Sequence, residues 1–249
     1  MAPEVLTTLA RRPDLAEAVY AIPYPPGSPS FMAGSLTSLL VRGRRVARRW
    51  PHLVVALLDG DQPIARGIMV PFRGRGTLPA RGWDEVAVWA AEDALDDVAA
   101  DTAGALEIAV HPEHQGRGHA GTVLAAMRDA AAAAGLGSLV IPVRPPDKAA
   151  VPSKPMREYA AETRADGLPA DRWLRTHVRA GGRVEAIAPC SATVQAPLAD
   201  WRRWTGLPFD QDGVATVPGA LAPVFVSVAE DFAVYVEPNV WVSHPVVSV

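Results

Sequence analysis

The fold of this chain is decided by the stretch Leu106–Gly121, whose sequence is LEIAVHPEHQGRGHAG. In its first part, Leu106–Val110, apolar residues alternate with Glu107 and Ala109. An alternation of period two predicts a short strand with one strongly apolar face. Pro112 has no N–H group for a strand ladder, so we expect the strand to end just before it.

The second part of the stretch predicts the beginning of a helix. From Gly118 onward the apolar residues have helical spacing, and the pattern ends at Gly135 and Gly137. The first turn of a helix carries unpaired N–H groups and a partial positive charge, which together attract anions. Gly116 lacks a Cβ atom that would hold an anion away from the backbone. The segment Gln115–Arg128 contains no Asp or Glu that would repel an anion. We therefore predict a site for a phosphate or pyrophosphate group.

The residues of this turn also form a motif. They read Gln115-x-x-Gly118-x-Ala120, preceded by Val110-x-Pro112, whereas the phosphate loop of nucleotide-binding proteins and the dinucleotide-binding glycine motif are absent. The arrangement resembles motif A of the GNAT acyltransferase superfamily, which is Gln/Arg-x-x-Gly-x-Gly/Ala after a strand. The resemblance implies an α/β fold of the mixed-sheet (α+β) kind, in which two central parallel strands splay apart.

The resemblance further implies that acetyl-CoA, or another acyl-CoA, is the co-substrate and that its pyrophosphate lies against the backbone amides of the turn. The implied cofactor-binding residues are Ala109, Val110, Gln115, Gly116, Arg117, Gly118, His119, Ala120 and Gly121. The alternative is a glycine-rich turn between a strand and a helix that binds no ligand.

The composition is that of an ordinary soluble globular protein, with 49% hydrophobic and 20% charged residues. A net charge of −3 gives no reason to expect nucleic acid as a partner. The single Cys190 excludes an internal disulfide, and neither a signal peptide at Met1–Asp14 nor an apolar run of membrane-spanning length is present. We expect a cytoplasmic protein without membrane partners, and a homodimer is compatible with the sequence.

The elements on either side of the motif follow from periodicity and from turn residues. Before it we expect a helix over Leu6–Tyr20 that is broken or restarted around Pro13-Asp14, a loop over Ile22–Ser30 and an amphipathic helix over Leu36–Trp50. We also expect a hairpin of Leu53–Leu58 and Ile64–Pro71 and an acidic helix over Trp83–Val98. After it we expect a strand over Ser138–Val143, a short helix over Met156–Arg164, a helix over Asp171–Ala180, a strand over Arg183–Ala188, a helix over Leu198–Gly206, and a hairpin of Val224–Val228 and Phe232–Val236.

Two of these elements bear on the expected cleft. Pro142 lies inside the strand Ser138–Val143, which is tolerable where pairing with the neighbouring strand has already stopped. The segment His177–Gly182 resembles motif B of the family, Tyr-x-x-x-Gly-Phe, with histidine in place of tyrosine and glycine in place of phenylalanine. We expect residues 1–188 to form the acyltransferase core with its N-terminal helices. Residues 189–249 are expected to form an extension that packs on the same domain and completes the sheet.

Transfer of an acyl group from a thioester to an amine requires a base, an oxyanion donor and a proton for the thiolate. Glu107 is the candidate base, acting through water, and a backbone N–H near Val110 is the candidate oxyanion donor. His177 is the candidate acid because it stands at the motif-B tyrosine position, with Tyr159 in reserve. The competing interpretations are a surface-facing Glu107 and an ordinary helical His177. The pair His111 and His114 lacks a third clustered metal ligand, so no metal is expected.

The sequence thus predicts a GNAT-type N-acetyltransferase that moves an acetyl or short acyl group from acyl-CoA to an amine, expected to be a small molecule, by direct attack on the thioester. Two alternatives stay open. One is acyl transfer to a thiol, a hydroxyl or a carrier protein. The other is a module that binds acyl-CoA without catalysis, which the missing motif-B tyrosine favours.

Overall fold

A computed structural model of the chain describes residues 4–24, 28–42 and 44–246. Its described part forms one mixed sheet with helices on both faces, as the sequence predicts. The strands are β1 (Glu4–Thr8), β2 (Val54–Asp59), β3 (Gln62–Phe72), β4 (Thr102–Val110), β5 (Ser138–Val143), β6 (Arg183–Pro197), β7 (Gly213–Ala215), β8 (Val224–Ser227) and β9 (Phe232–Pro245). Their order is β1-β2-β3-β4-β5-β9-β8-β7, and β6 pairs with β9.

The helices lie between these strands along the chain. They are α1 (Ala16–Ala21), α2 (Leu36–Arg42), α3 (Arg45–Arg49), α4 (Gly82–Leu95), α5 (His119–Ala133), α6 (Met156–Ala160), α7 (Arg172–Arg179) and α8 (Leu198–Thr205). Among the described residues, no helix is both long and apolar enough to cross a membrane.

The predicted splay lies between β4 and β5. These strands pair in parallel only at Thr102↔Ser138, Ala103↔Leu139 and Gly104↔Val140, after which β5 pairs with β9 alone. Pro142 lies beyond the last β4 partner, so its missing N–H costs the sheet no bond to β4. The gap therefore opens toward the carboxyl ends of both strands.

Each face of the sheet carries its own apolar core. On the face covered by α5, here called the α5 face, Val123 and Met127 pack against β3, where a Cβ atom on Gly67 would lie 2.5 Å from the Met127 sulfur. Only glycine at that position lets the helix approach so closely. On the opposite face, here called the α4 face, Val19 of α1 and Val86 of α4 are buried against the sheet.

A register shift changes the expected pattern of β4. Met69 pairs with Ala105 and Ile68 pairs with Glu107, so Leu106 has no partner on β3. Leu106 consequently packs on the α4 face, whereas Ile108 packs on the α5 face. The prediction of a single apolar face shared by the two residues is wrong, because a bulge reverses side-chain phase.

The N-terminal part also differs from prediction. Leu6–Tyr20 was expected to be helical, but Glu4–Thr8 forms β1, antiparallel to β2, and only α1 is α-helical. The β-branched residues after Glu4 suit a strand, and Pro13 separates the two elements. The helix expected over Leu36–Trp50 is divided into α2 and α3, with Arg44 in a left-handed conformation before α3.

The C-terminal part supplies strands next to the splay. The hairpin predicted at Val224–Val228 and Phe232–Val236 is confirmed, and its second strand continues as β9 to lie beside β5. The strand predicted at Arg183–Ala188 continues to Pro197 as β6. The proposed boundary after residue 188 falls inside this strand, and the division into core and extension stays a prediction.

Candidate active site

The loop between β4 and α5 is open and carries two left-handed glycines. Gly116 has φ of 76° and Gly118 has φ of 85°, a region that side chains disfavour. A Cβ atom added at either position would meet nothing within 4 Å. Gln115 orients the start of the loop, because its Nε2 donates to the Val110 carbonyl at 3.3 Å. Arg117 donates to the Glu113 carbonyl at 3.3 Å.

The amides of this loop are free to bind an anion. In the described part of the chain, the N–H groups from Gly116 to Ala120 have no hydrogen-bond partner, whereas Gly121 and Thr122 both donate to the Gly118 carbonyl. The first turn of α5 contains no acidic residue. The buried His119 ring lies 3.7 Å from the Glu4 carboxylate, so it faces β1 rather than the open side of the loop. The amides and the helix dipole together favour a pyrophosphate.

The backbone of β4 adds further free amides inside the gap. His111 N–H donates to the Ile64 carbonyl of β3 at 2.8 Å. Because backbone direction alternates along a strand, Ala109 also faces β3, whereas Ile108 and Val110 direct their amides toward the gap. Val110 is therefore placed to contact a thioester, whereas the Ala109 amide faces β3 and the predicted contact of Ala109 with the cofactor stays a prediction.

Glu107 lies on the α4 face in a charged cluster that sequence reasoning missed. Its side chain is 13% exposed, and its Oε1 accepts from Arg66 Nε at 2.5 Å. Its Oε2 accepts from the hydroxyl of Tyr24. Arg66 is 2% exposed and also donates to the carbonyls of Val19 and Ile22 at 2.9 Å each. An arginine within an otherwise apolar strand is the signal from which this ion pair was predictable.

His177 lies away from the gap. It is 3% exposed, and its Nδ1 is 3.0 Å from Nε2 of the buried His244. His244 pairs with Leu139, at the end where β5 still pairs with β4. Burial, and then the neighbouring His244, lower the pKa of His177 to about 4. The predicted acid role is therefore not supported by its position.

The glycine that replaces the motif-B phenylalanine belongs to the same packing arrangement. A Cβ atom on Gly182 would lie 2.6 Å from Cε1 of His244 and 2.9 Å from the His177 carbonyl oxygen. Glycine at this position is what lets the two imidazole rings, tilted by 55° to each other, meet between α7 and β9. The two residues that differ from motif B thus both contribute to a buried histidine pair, because His177 forms it with His244 and Gly182 leaves room for it.

The reserve candidate Tyr159 has a structural partner. Its hydroxyl donates to Asp171 Oδ2 at 2.8 Å, while Asp171 Oδ1 accepts from the amides of Trp173 and Leu174 at 2.9 Å. Asp171 is therefore the N-cap of α7, as predicted, and Tyr159 steadies that cap. No group of three or more His, Cys, Asp or Glu side chains in the described part of the chain is arranged to hold a metal ion.

Comparison with known proteins identifies the family. Residues 18–152 match the acetyltransferase (GNAT) family. The chain is 30% identical to the arginine N-acetyltransferase avaD of Aspergillus versicolor over 97% of this chain and 93% of that protein. It belongs to the GNAT family. As a GNAT enzyme it is an acyl-CoA-dependent N-acetyltransferase.

Two solved structures show the same fold. The loading GNAT-like domain of CurA from Lyngbya majuscula superposes with a TM-score of 0.62 at 16% identity, covering 98% of each chain. The GNAT-like decarboxylase GphF in complex with isobutyryl-CoA gives a TM-score of 0.57 at 16% identity, covering 98% of this chain and 100% of that one. The family match of this GNAT chain ends at residue 152, so His177 lies beyond it.

The first prediction concerns the anion loop of this GNAT enzyme. Gly118→Asp places a strained side chain and a negative charge among the free amides, so coenzyme A affinity should fall about 100-fold or more in calorimetry. The matched control is Gly135→Asp, at the other end of α5, because Gly135 also has a positive φ of 75°. This variant should bind coenzyme A normally. If Gly118→Asp bound coenzyme A with unchanged affinity, this loop would be excluded as the pyrophosphate site.

The second prediction concerns the buried histidine pair. Burial lowers the pKa of both His177 and His244 to about 4, from 6.5. Between these values the unfolded chain binds protons that the folded chain excludes, so the free energy of unfolding should decrease as pH falls from about 6.5 to 4. The decrease is about 3 kcal/mol for one imidazole.

Denaturant titrations at several pH values measure this dependence. His244→Gln retains a polar partner for His177 but cannot titrate, so its stability should depend less on pH in that window. His52→Gln, at an exposed histidine, is the matched control and should behave as the wild type. A wild-type pH dependence in His244→Gln would contradict the assignment.

Proposed function

We propose that this enzyme transfers the acetyl group of acetyl-CoA to the α-amine of arginine or of a close analogue. The observation that carries the proposal is the 30% identity to an arginine N-acetyltransferase along 97% of the chain. The charged cluster at Glu107, on the side of the gap that α1 covers, gives the amine a partner. The arginine α-amine is the nucleophile because a guanidinium stays protonated in proteins and has no free electron pair.

The donor is held along β4 and the start of α5. The free amides from Gly116 to Ala120 bind the pyrophosphate, and the pantetheine arm runs into the gap. The thioester oxygen then accepts from the amide of Val110, where β5 has diverged and no strand competes for that N–H. The same amide stabilises the oxyanion of the tetrahedral intermediate.

Glu107 receives the proton that the amine loses. An α-amine loses its proton more readily than a lysine side chain, so part of the arginine has a neutral α-amine at physiological pH and a weak base suffices. Arg66 Nε lies 2.5 Å from Glu107 Oε1 and holds the carboxylate in place. The other oxygen, Oε2, accepts from the Tyr24 hydroxyl, and it can accept from the amine or from a bridging water once that hydroxyl is displaced. The ion pair with Arg66 therefore holds the Glu107 carboxylate in a fixed orientation.

The acyl transfer then completes without a strong acid. The amine nitrogen attacks the thioester carbon, the C–N bond forms, and collapse of the intermediate breaks the C–S bond. The departing thiol has a pKa near ~8.5, so it leaves readily as thiolate and is protonated by water. The reaction therefore needs no acid at the motif-B tyrosine position, where the buried His177 stands.

The third prediction tests the base. Glu107→Gln keeps the size of the side chain and an oxygen for Arg66, but it cannot accept the proton. We expect kcat to fall about 10²- to 10⁴-fold with the KM for acetyl-CoA unchanged. Glu113→Gln, at an exposed glutamate in the following loop, is the matched control. Wild-type turnover in Glu107→Gln would exclude it as the base.

A panel of acceptors tests the reaction itself. Release of coenzyme A is measured with arginine, other small amines, thiols, hydroxyl compounds and a carrier protein. Arginine turnover with acetylation at the α-amine, located by mass spectrometry, is the expected result. Transfer only to thiols or hydroxyls, or binding of acetyl-CoA without turnover, would overturn the proposal.

A further inference from the structure

A second group of polar side chains is buried on the α4 face, beside the gap. We call it the inner polar cluster. Each side chain belongs to a residue that is 5% exposed or less, and its members are Thr37, Asp84, Ser191, Glu237 and Asn239. They come from α2, the first turn of α4, β6 and β9. The irregularity of β6 between Ala188 and Ala192 places Ser191 opposite this part of β9.

Two oxygen atoms of the cluster lack a hydrogen-bond partner among the described residues. They are Glu237 Oε1 and Asn239 Oδ1, both on residues with no exposed surface. The other polar atoms of these side chains are used. Glu237 Oε2 accepts from Arg144 at 2.9 Å and from Tyr235 at 3.0 Å, and Asn239 Nδ2 donates to Ser191 Oγ at 2.9 Å. Buried acceptors of this kind are costly unless a donor reaches them.

The cluster also has an excess of negative charge. Asp84 accepts from the Thr37 hydroxyl at 3.3 Å and from the Thr193 amide at 2.9 Å, so its bonds are to neutral groups. Glu237 pairs with Arg144, whereas Arg81, the cation that acts on Asp84, is exposed. Burial raises the pKa of Asp84, and burial assisted by Asp84 raises that of Glu237. A bound cation would relieve both penalties.

The cluster lies within reach of an acceptor whose amine is at Glu107. Val143, the last residue of β5, pairs with Val240, and Asn239 is the next residue along β9. Two strand spacings put β9 roughly 10 Å from β4 where all three strands pair, and the splay widens this distance toward the carboxyl ends of β4 and β5. An extended arginine separates its α-nitrogen from its guanidinium nitrogens by roughly 8 Å. Both sites are on the α4 face of the sheet, with Glu107 on β4 at one side of the gap and the cluster beyond β5 at the other.

We propose, building on the proposed function, that the inner polar cluster binds the guanidinium of the acceptor, with Glu237 Oε1 and Asn239 Oδ1 accepting its N–H groups. A guanidinium is planar, carries donors only, and is permanently charged, so it matches two acceptor oxygens in an acidic setting. The α-amine then reacts in the gap while the other end of the molecule is held by its charge.

The competing arrangement needs no ligand. A proton on Glu237 would remove its negative charge and with it the need for a cation. In that case the cluster is a structural hydrogen-bond network, and it should not distinguish a charged acceptor from a neutral one.

The fourth prediction separates the two arrangements by acceptor charge. Kinetics are measured at saturating acetyl-CoA with arginine and with citrulline, in which a neutral urea replaces the guanidinium. The wild type should prefer arginine at least tenfold in kcat/KM. Glu237→Gln should raise the KM for arginine at least tenfold, bring the two acceptors close to equality, and leave the KM for acetyl-CoA unchanged.

Two further variants keep the test decisive. Asn239→Leu removes the second oxygen and should reduce the same preference, which covers the case that Glu237→Gln does not fold. Asp93→Asn is the matched control, because Asp93 is a buried carboxylate of α4 that binds the Arg73 amide at 2.6 Å and Arg75 at 3.0 Å. It should retain the preference for arginine.

The outcomes distinguish this inference from the proposed function. If the wild type acetylates arginine but neither Glu237→Gln nor Asn239→Leu alters the preference, the cluster does not bind the guanidinium. If no amine is acetylated, the proposed function fails, and calorimetry with arginine and the wild type then tests the cluster alone. Binding that Glu237→Gln abolishes supports the cluster site, and equal or absent binding in both proteins overturns it.

Discussion

The early end of pairing between β4 and β5 is the constraint on which this structure depends. Neighbouring parallel strands ordinarily form hydrogen bonds along the whole length that they share. Here the last shared position is Gly104↔Val140, and each strand keeps its other neighbour, β3 or β9. The sheet therefore stays continuous while Ile108 and Val110 keep amides for a substrate. A cleft of this kind needs no cavity in the apolar core.

The chemistry is divided between the two faces that meet at this gap. On the α5 face, the loop after β4 presents free amides at a helix whose first turn contains no acidic residue, which suits the diphosphate of coenzyme A. On the α4 face, Glu107 with Arg66 and the acidic inner polar cluster suit a cationic amine. The bulge at Leu106 sets this division, because it shifts the side-chain phase of β4 just before Glu107.

The features that were predictable from sequence are local ones. The glycine turn, the strand before it and the helix after it are specified within a few residues. The splay that the resemblance to motif A implied is confirmed, and it accommodates Pro142, whereas the anion site stays a prediction. The contacts that the sequence analysis missed are made by partners distant in sequence. His177 is buried by His244, 67 residues away, and Glu107 is paired with Arg66, 41 residues away. Periodicity contains no information on such contacts, and one bulged residue was enough to misplace Leu106.

A crystal structure with coenzyme A bound tests the central claim most directly. The account predicts pyrophosphate oxygens at about 2.7–3.2 Å from amides of Gly116 to Ala120, with the thiol between the diverging ends of β4 and β5. It further predicts that Val110 N–H faces the thiol end of the ligand. Coenzyme A bound elsewhere, or β4 and β5 paired along their whole length in the complex, would contradict it.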